Sequence, residues 1–183
     1  MYFKQINLSI PQIDYEQYID KHVVSYGKNK LLSYYTLKNE AKDPIFALLP
    51  EKLRDKVDVL YCHSGSIEPN VVPHIDNGVN VSVNFYLETA GASTLFFKQK
   101  ENAVATPTSN IDSTTISNTT GKVFELDQLD FVSAFKAYPG EAYILDTSKV
   151  HAVKGLELPS IRKFICIQTG KYTFNEFVKM FND

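Results

Sequence analysis

Val79-Asn80-Val81-Ser82-Val83-Asn84-Phe85-Tyr86-Leu87 is the stretch whose reading decides the fold. Val81, Val83, Phe85 and Leu87 fall on one face of an extended chain. Ser82, Asn84 and Tyr86 fall on the other, the period of a strand whose two faces meet different surroundings. The same alternation opens upstream, where Val57, Val59 and Tyr61 interleave with Asp58, Leu60 and Cys62. Downstream, residues 94–97, 123–126, 131–138, 141–145, 151–153 and 161–168 read as further short strands. Gly65, Pro69, Asn70 and Pro73, then Gly91, Pro139-Gly140, Gly155 and Pro159, punctuate them. Many short strands separated by turn residues predict a mainly β protein, a sandwich or barrel.

The ends of the chain read as helical packing for that sheet. Asp14 and Gln17 form a capping-box pattern ahead of Tyr18, Ile19 and Val23, with Gly27 as a stop, which places His22 on a polar helix. Pro44 fits the first position of a second helix, and Leu49-Pro50 restarts a short one through Leu53. At the C-terminus Thr173 and Glu176 make a capping box, and Phe174, Phe177, Val178 and Phe181 form an i, i+3, i+4, i+7 stripe. The expected organisation is one domain over 1–183: a mixed, partly helical segment to 56, a β core over 57–170 and a helix over 171–183. Within the core, residues 98–122 differ, and 106–120 are rich in Ser, Thr and Asn. That stretch buries little and is expected to form a lid or flank over a site.

Composition narrows the function. The 183 residues are 44% hydrophobic and 22% charged, and 19 basic against 21 acidic residues leave a net charge of -2. No window is densely basic, so nucleic acid is not the expected partner. No apolar run approaches the roughly 20 residues of a membrane helix, and no basic-then-apolar leader opens the chain, so a cytoplasmic location without membrane contact is expected. On that reading the Asn-x-Ser/Thr triplets at Asn7, Asn80 and Asn118 are chance matches. Cys62 and Cys166, with no CxxC, read as reduced, packed cysteines, although a bridge between them is compatible with the sequence.

The chemistry concentrates in Pro73-His74-Ile75-Asp76-Asn77-Gly78. In an extended chain His74 and Asp76 project to the same side, so an imidazole and a carboxylate can grip one ion. His151, at the end of the strand that follows Pro139-Gly140, is the candidate third ligand. Two histidines and a carboxylate are the facial triad of non-haem Fe(II) oxygenases, which leaves positions open for a co-substrate and O₂. Eleven residues on, Arg162 shares a strand face with Phe164, Cys166 and Gln168. If that face lines the same cavity, its guanidinium can hold a carboxylate of a dicarboxylate co-substrate.

This ordered set resembles the Fe(II)/2-oxoglutarate-dependent dioxygenases, and its flanks resemble the prolyl-4-hydroxylase-like branch. Asn84-Phe85-Tyr86-Leu87 followed by Gly91-Ala92-Ser93-Thr94-Leu95-Phe96 is similar to that branch's Y-L-N strand and its G-G-x-T-x-F segment. Tyr138-Pro139-Gly140-Glu141-Ala142 is similar to the P-G-D segment leading to the distal histidine. The likeness covers about residues 57–170. Ala92, Ser93 and Glu141 depart from the pattern, and none of them is in the metal set. The resemblance implies a double-stranded β-helix, the jelly roll shared with cupins, with flanking helices. It implies Fe(II) on His74, Asp76 and His151, and 2-oxoglutarate on Arg162 and Tyr86, with Tyr61 a further candidate for the same pocket. The reaction implied is hydroxylation of an unactivated C–H bond in a small-molecule or peptidyl substrate.

Plainer readings stand beside these. Asp76-Asn77-Gly78 is strong turn chemistry. Arg162 can pair with Asp146 or Glu157 at the surface, Tyr86 can simply pack in a sheet, and His63 can be an ordinary loop residue. As a whole, the chain can also be a cupin-type metal protein that does not use 2-oxoglutarate, or a jelly-roll binding module without turnover. The sequence is silent on oligomeric state.

Overall fold

Period-two patterning recurs throughout the computed structural model, which describes residues 1–26, 32–64, 70–107, 122–155 and 161–182. Thirteen strands form among them: β1 (Phe3–Ile6), β2 (Ile19–Tyr26), β3 (Leu32–Leu37), β4 (Asp58–Ser64), β5 (Asn70–Ile75), β6 (Val81–Glu88), β7 (Ser93–Gln99), β8 (Thr106–Pro107), β9 (Lys122–Val123), β10 (Leu129–Lys136), β11 (Ala142–Asp146), β12 (Val150–Lys154) and β13 (Arg162–Thr169). Two α-helices, α1 (Asn39–Leu48) and α2 (Phe174–Asn182), flank them.

The strands build two antiparallel sheets. The larger runs β1-β11-β6-β13-β4-β3-β2 and the smaller β10-β7-β12-β5-β9-β8. Alternation on β4, β6 and β13 sorts residues between two cores. Val59, Tyr61, Val81, Val83, Phe85, Ile165 and Ile167 face a layer made by Ile45, Leu49, Leu53, Phe174 and Phe177. Leu60, Cys62, Tyr86, Phe164 and Cys166 face the other way, toward Phe96 of the smaller sheet. The larger sheet is therefore covered on both faces, by helices and N-terminal segment outside and by the second sheet inside. Cys62 and Cys166 are free, buried thiols on that inner face.

The α2 capping box forms as read: Glu176 Oε2 accepts from the Thr173 amide at 2.8 Å and its hydroxyl at 2.7 Å. The N-terminal segment differs from expectation. Asp14 caps only a short 3₁₀ turn, Tyr15–Tyr18, and residues 19–26 then extend as β2. His22 is thus a strand residue, with its ring 5.3 Å from that of Tyr35 on β3. Pairing with β3 satisfies the backbone of this segment in a way local helix signals do not anticipate. Pro44 lies inside α1, which begins earlier, at Asn39. Residues 123–126 give only the short β9 and then a 3₁₀ turn from Leu126. Most of the polar 98–122 stretch lies outside the described residues, and its ends add β8 and β9 to the smaller sheet. Among the described residues no helix is long and apolar enough to cross a membrane.

Candidate metal centre

His74 is the next-to-last residue of β5 and His151 the second of β12, and the antiparallel ladder sets them directly opposite one another. The ladder shifts register just past His151. Such irregularities re-aim side chains near sites. Asp76 follows in the loop after β5. Its amide donates to the Thr147 carbonyl at 3.3 Å, which ties the loop to the turn between β11 and β12. At the end of that loop Gly78 has a φ of +70°, a conformation that suits glycine. Gly170 packs so closely against the Gly78 carbonyl that any side chain there would collide with it.

The ligand atoms of His74, Asp76 and His151 all lie within 4.8 Å of one another. Asp76 Oδ1 is 3.4 Å from His74 Nε2 and 3.8 Å from His151 Nε2. With bonds of about 2.1 Å, two donors on one ion stand roughly 3.0 Å apart at right angles and about 4.2 Å apart in line, so both spacings fit a common ion. Each imidazole is also turned by a backbone carbonyl. His74 Nδ1 lies 2.8 Å from the Val72 oxygen and His151 Nδ1 lies 3.0 Å from the Lys149 oxygen. Protons held at both Nδ1 atoms would free both Nε2 lone pairs for an ion shared with Asp76, the arrangement ligating histidines use. The donor set fits a divalent transition metal such as Fe(II) or Zn(II).

Electrostatics treat the two imidazoles differently. Burial, then the neighbouring His74, pull the His151 pKa down to about 4, which keeps this imidazole neutral. For His74 burial acts downward, but the Asp76 hydrogen bond and charge outweigh it, and its pKa rises above the ordinary value. Burial acts upward on Asp76, and the two histidines overcome it and hold the carboxyl below its usual range. Asn77 and Gly78 make a bend, and that bend leaves the Asp76 carboxylate beside the two imidazoles.

Arg162, 5% exposed, lines the same cavity from β13 on the opposite sheet. Its Nη2 donates to the Tyr86 hydroxyl at 2.9 Å and to Thr94 Oγ1 at 3.1 Å. The guanidinium carbon lies 4.9 Å from the Tyr86 ring centre and 5.3 Å from that of Phe164, cation–π distances. Among the described residues no carboxylate pairs with Arg162. Asp146 instead holds Ser148, and Glu157 lies outside the described residues. Ser82, Asn84, Thr147 and Cys166 complete much of the polar wall, and the cavity measures about 50 Å³.

Tyr61 does not join this cavity, which corrects its expected place. Strand parity sends its side chain to the outer face, where its hydroxyl donates to Glu16 Oε1 at 2.8 Å. Glu16 also meets Lys163, at 3.0 Å, and Lys163 meets Glu88 at 2.9 Å. His63 shares that outer face, 3.4 Å from the Tyr35 hydroxyl. Sequence reasoning placed Asn84 on the correct face without singling it out. The signal was its position two residues before Tyr86.

No protein family and no curated protein matches the sequence. Solved structures do match in shape. Escherichia coli ycfD aligns over 97% of this chain and 52% of its own, at a TM-score of 0.51 and 12% identity. The fold is a cupin-like jelly roll. Hazelnut (Corylus avellana) vicilin aligns over 82% of this chain and 31% of its own, at a TM-score of 0.41 and 12% identity. Streptomyces albus HEPD, solved with 2-hydroxyethylphosphonate and Fe(II) bound, aligns over 82% and 24%, at 0.41 and 8% identity. The chain thus spans about a quarter to a half of the length of these structures.

Proposed function

We propose that this chain is a non-haem Fe(II)- and 2-oxoglutarate-dependent oxygenase, prolyl-4-hydroxylase-like in its motifs, acting on a small-molecule or peptidyl substrate. The observation that carries the reading is Arg162. A guanidinium buried without a carboxylate partner among the described residues is costly to keep, unless a ligand supplies the anion. It lines the same cavity as a His-Asp-His set.

In this reading His74, Asp76 and His151 hold the metal. Asp76 brings one negative charge and the neutral imidazoles bring none, so part of the ion's charge is left for an anionic ligand. Tyr86 and Thr94 fix the guanidinium plane, and Arg162 presents it to the distal carboxylate of the keto acid. Phe164 and Leu145 supply apolar wall that keeps water from the polar groups. Bound there, Fe(II) with 2-oxoglutarate supplies oxidative decarboxylation of the keto acid by O₂ to succinate and CO₂, coupled to C–H hydroxylation.

The test is anaerobic titration with Fe(II) and then 2-oxoglutarate, followed by O₂ and a succinate assay. Saturable binding of both, with succinate formed only when both are present, is the expected result. Metal binding with no 2-oxoglutarate binding overturns it in favour of a second reading, a cupin-type metal protein. The cavity's size, about 50 Å³, favours that alternative over a bound five-carbon acid.

A further inference from the structure

Asn84 sits on the inner face of β6, 7% exposed, in the wall of the cavity that holds the triad and Arg162. Among the described residues its Oδ1 is the buried side-chain polar atom with no hydrogen-bond partner. Buried polar atoms are nearly always paired, so an orphan in a cavity wall calls for an explanation.

Its neighbours do not provide one. Asn84 is paired in register with Cys166 on β13 and Tyr143 on β11. The Tyr143 hydroxyl donates to Glu141 Oε2 at 3.1 Å, and Cys166 Sγ is turned to Gln168 Oε1 at 4.0 Å. Two other donors in the cavity wall are committed elsewhere: Thr147 donates to the Val79 carbonyl at 3.1 Å, and Arg162 Nη2 to Tyr86 and Thr94. An apolar residue of similar size would fill the wall without leaving an acceptor unmet. The chain instead keeps a carboxamide whose oxygen accepts from none of the described residues.

We propose that Asn84 is a specificity-determining residue of this cavity, its carboxamide oxygen reserved for a hydroxyl or N–H group on a molecule that the cavity receives. The inference rests on reading the cavity as the active site, and it adds the class of ligand. 2-Oxoglutarate as a dianion carries only acceptors, so the donor belongs to the molecule that is oxidised, which is therefore a hydroxyl- or N–H-bearing compound and not a hydrocarbon-like one. A site with a buried acceptor discriminates against an analogue that lacks the donor, because that analogue leaves the acceptor unpaired.

The experiment compares wild type, Asn84→Leu and Asn84→Asp. Butyrate and 4-hydroxybutyrate, one skeleton without and with a hydroxyl, serve as probes of the second molecule, titrated with 2-oxoglutarate and the redox-inert metal Mn(II) already bound. Calorimetry gives the affinities and a melting curve gives the stability. The expected result is a hydroxyl advantage of about tenfold in wild type, kept in Asn84→Asp, which retains the acceptor, and lost in Asn84→Leu. The Leu variant is also expected to melt no lower than wild type. Comparing the change across both the ligand hydroxyl and residue 84 separates this contact from any direct effect of the hydroxyl on the metal. An equal hydroxyl preference in wild type and Asn84→Leu, with 2-oxoglutarate still bound, overturns the proposal and leaves the oxygenase reading standing. Loss of the preference in Asn84→Asp as well as Asn84→Leu also overturns it, since the amide N–H would then be the group in use. A Leu variant that melts lower assigns Asn84 a structural role and overturns it too. If wild type binds none of the three acids, both the proposal and the oxygenase reading fall.

Discussion

His74 and His151 face each other across one rung of the β5–β12 ladder, with ring centroids 4.3 Å apart. At that distance both cannot carry charge comfortably, and the pair divides its proton affinity unequally. His151 falls to about 4, through burial first and His74 second. His74 rises, because Asp76 overcomes the effect of burial.

Metal affinity therefore has a defined pH profile. A ligating imidazole must be neutral, so a proton on His74 competes with the metal. Between about pH 4 and the raised pKa of His74, one proton is released per metal bound, and affinity falls about tenfold per unit as pH drops. Above the His74 pKa the profile is flat. Below about pH 4 His151 protonates as well and the fall steepens. Mn(II) calorimetry in two buffers of different ionisation enthalpy checks the proton count, and a count of two near pH 5.5 contradicts it.

Asp76→Ala is expected to weaken Fe(II) or Mn(II) binding by at least about 100-fold. Loss of a supporting residue alone costs about 10–100-fold, and Asp76 is the charged member of the set. Anaerobic equilibrium dialysis measures it, with circular dichroism as the check on folding.

Arg162→Leu is expected to leave metal affinity within about twofold and to lower 2-oxoglutarate affinity by roughly 10- to 150-fold, the effect of about 1.5–3 kcal/mol from a charge-assisted hydrogen bond. Unchanged 2-oxoglutarate affinity would remove Arg162 from the cofactor site.

Tyr61→Phe is expected to cost about 1 kcal/mol of stability, through loss of the hydrogen bond to Glu16, and to leave both affinities unchanged. Urea denaturation and the two titrations read these separately. A drop in 2-oxoglutarate affinity would contradict the outward placement of this side chain.

Gly170→Ala acts at a distance. Its new methyl group meets the Gly78 carbonyl, so the loop that carries Asp76 must shift. Overpacking of this kind costs about 1–3 kcal/mol. The expected outcome is a lower denaturation midpoint together with weaker metal binding, and an unaffected metal affinity would show that the loop yields without moving Asp76.

What could be read from the sequence followed from how local each signal is. The faces of β6 were legible because Val81, Val83 and Phe85 bury against helices while Ser82, Asn84 and Tyr86 turn inward, a strictly period-two difference. His74 and Asp76 were legible for the same reason. His151 and Arg162 were reached through order and resemblance, since the ladder that seats His151 beside His74 joins residues far apart in the chain. Residues 19–26 were misread because a capping pattern at Asp14 is local, whereas the pairing that makes them a strand comes from β3. Tyr61 was misread although its parity was available: it shares a face with Val59, which points to the helices. The emptiness around Asn84 Oδ1 is a property of every neighbouring side chain at once, and no sequence pattern encodes it.

The candidate metal ligands His74 and His151 stand on one sheet, while Arg162 and Asn84 stand on the other. The sandwich then works as a calliper, its jaws about 10 Å apart at the backbone, set by the rings packed between them. Phe96 is one of those rings. Trimming it to alanine is expected to leave a void that the two sheets close only in part, at a cost of about 3–5 kcal/mol.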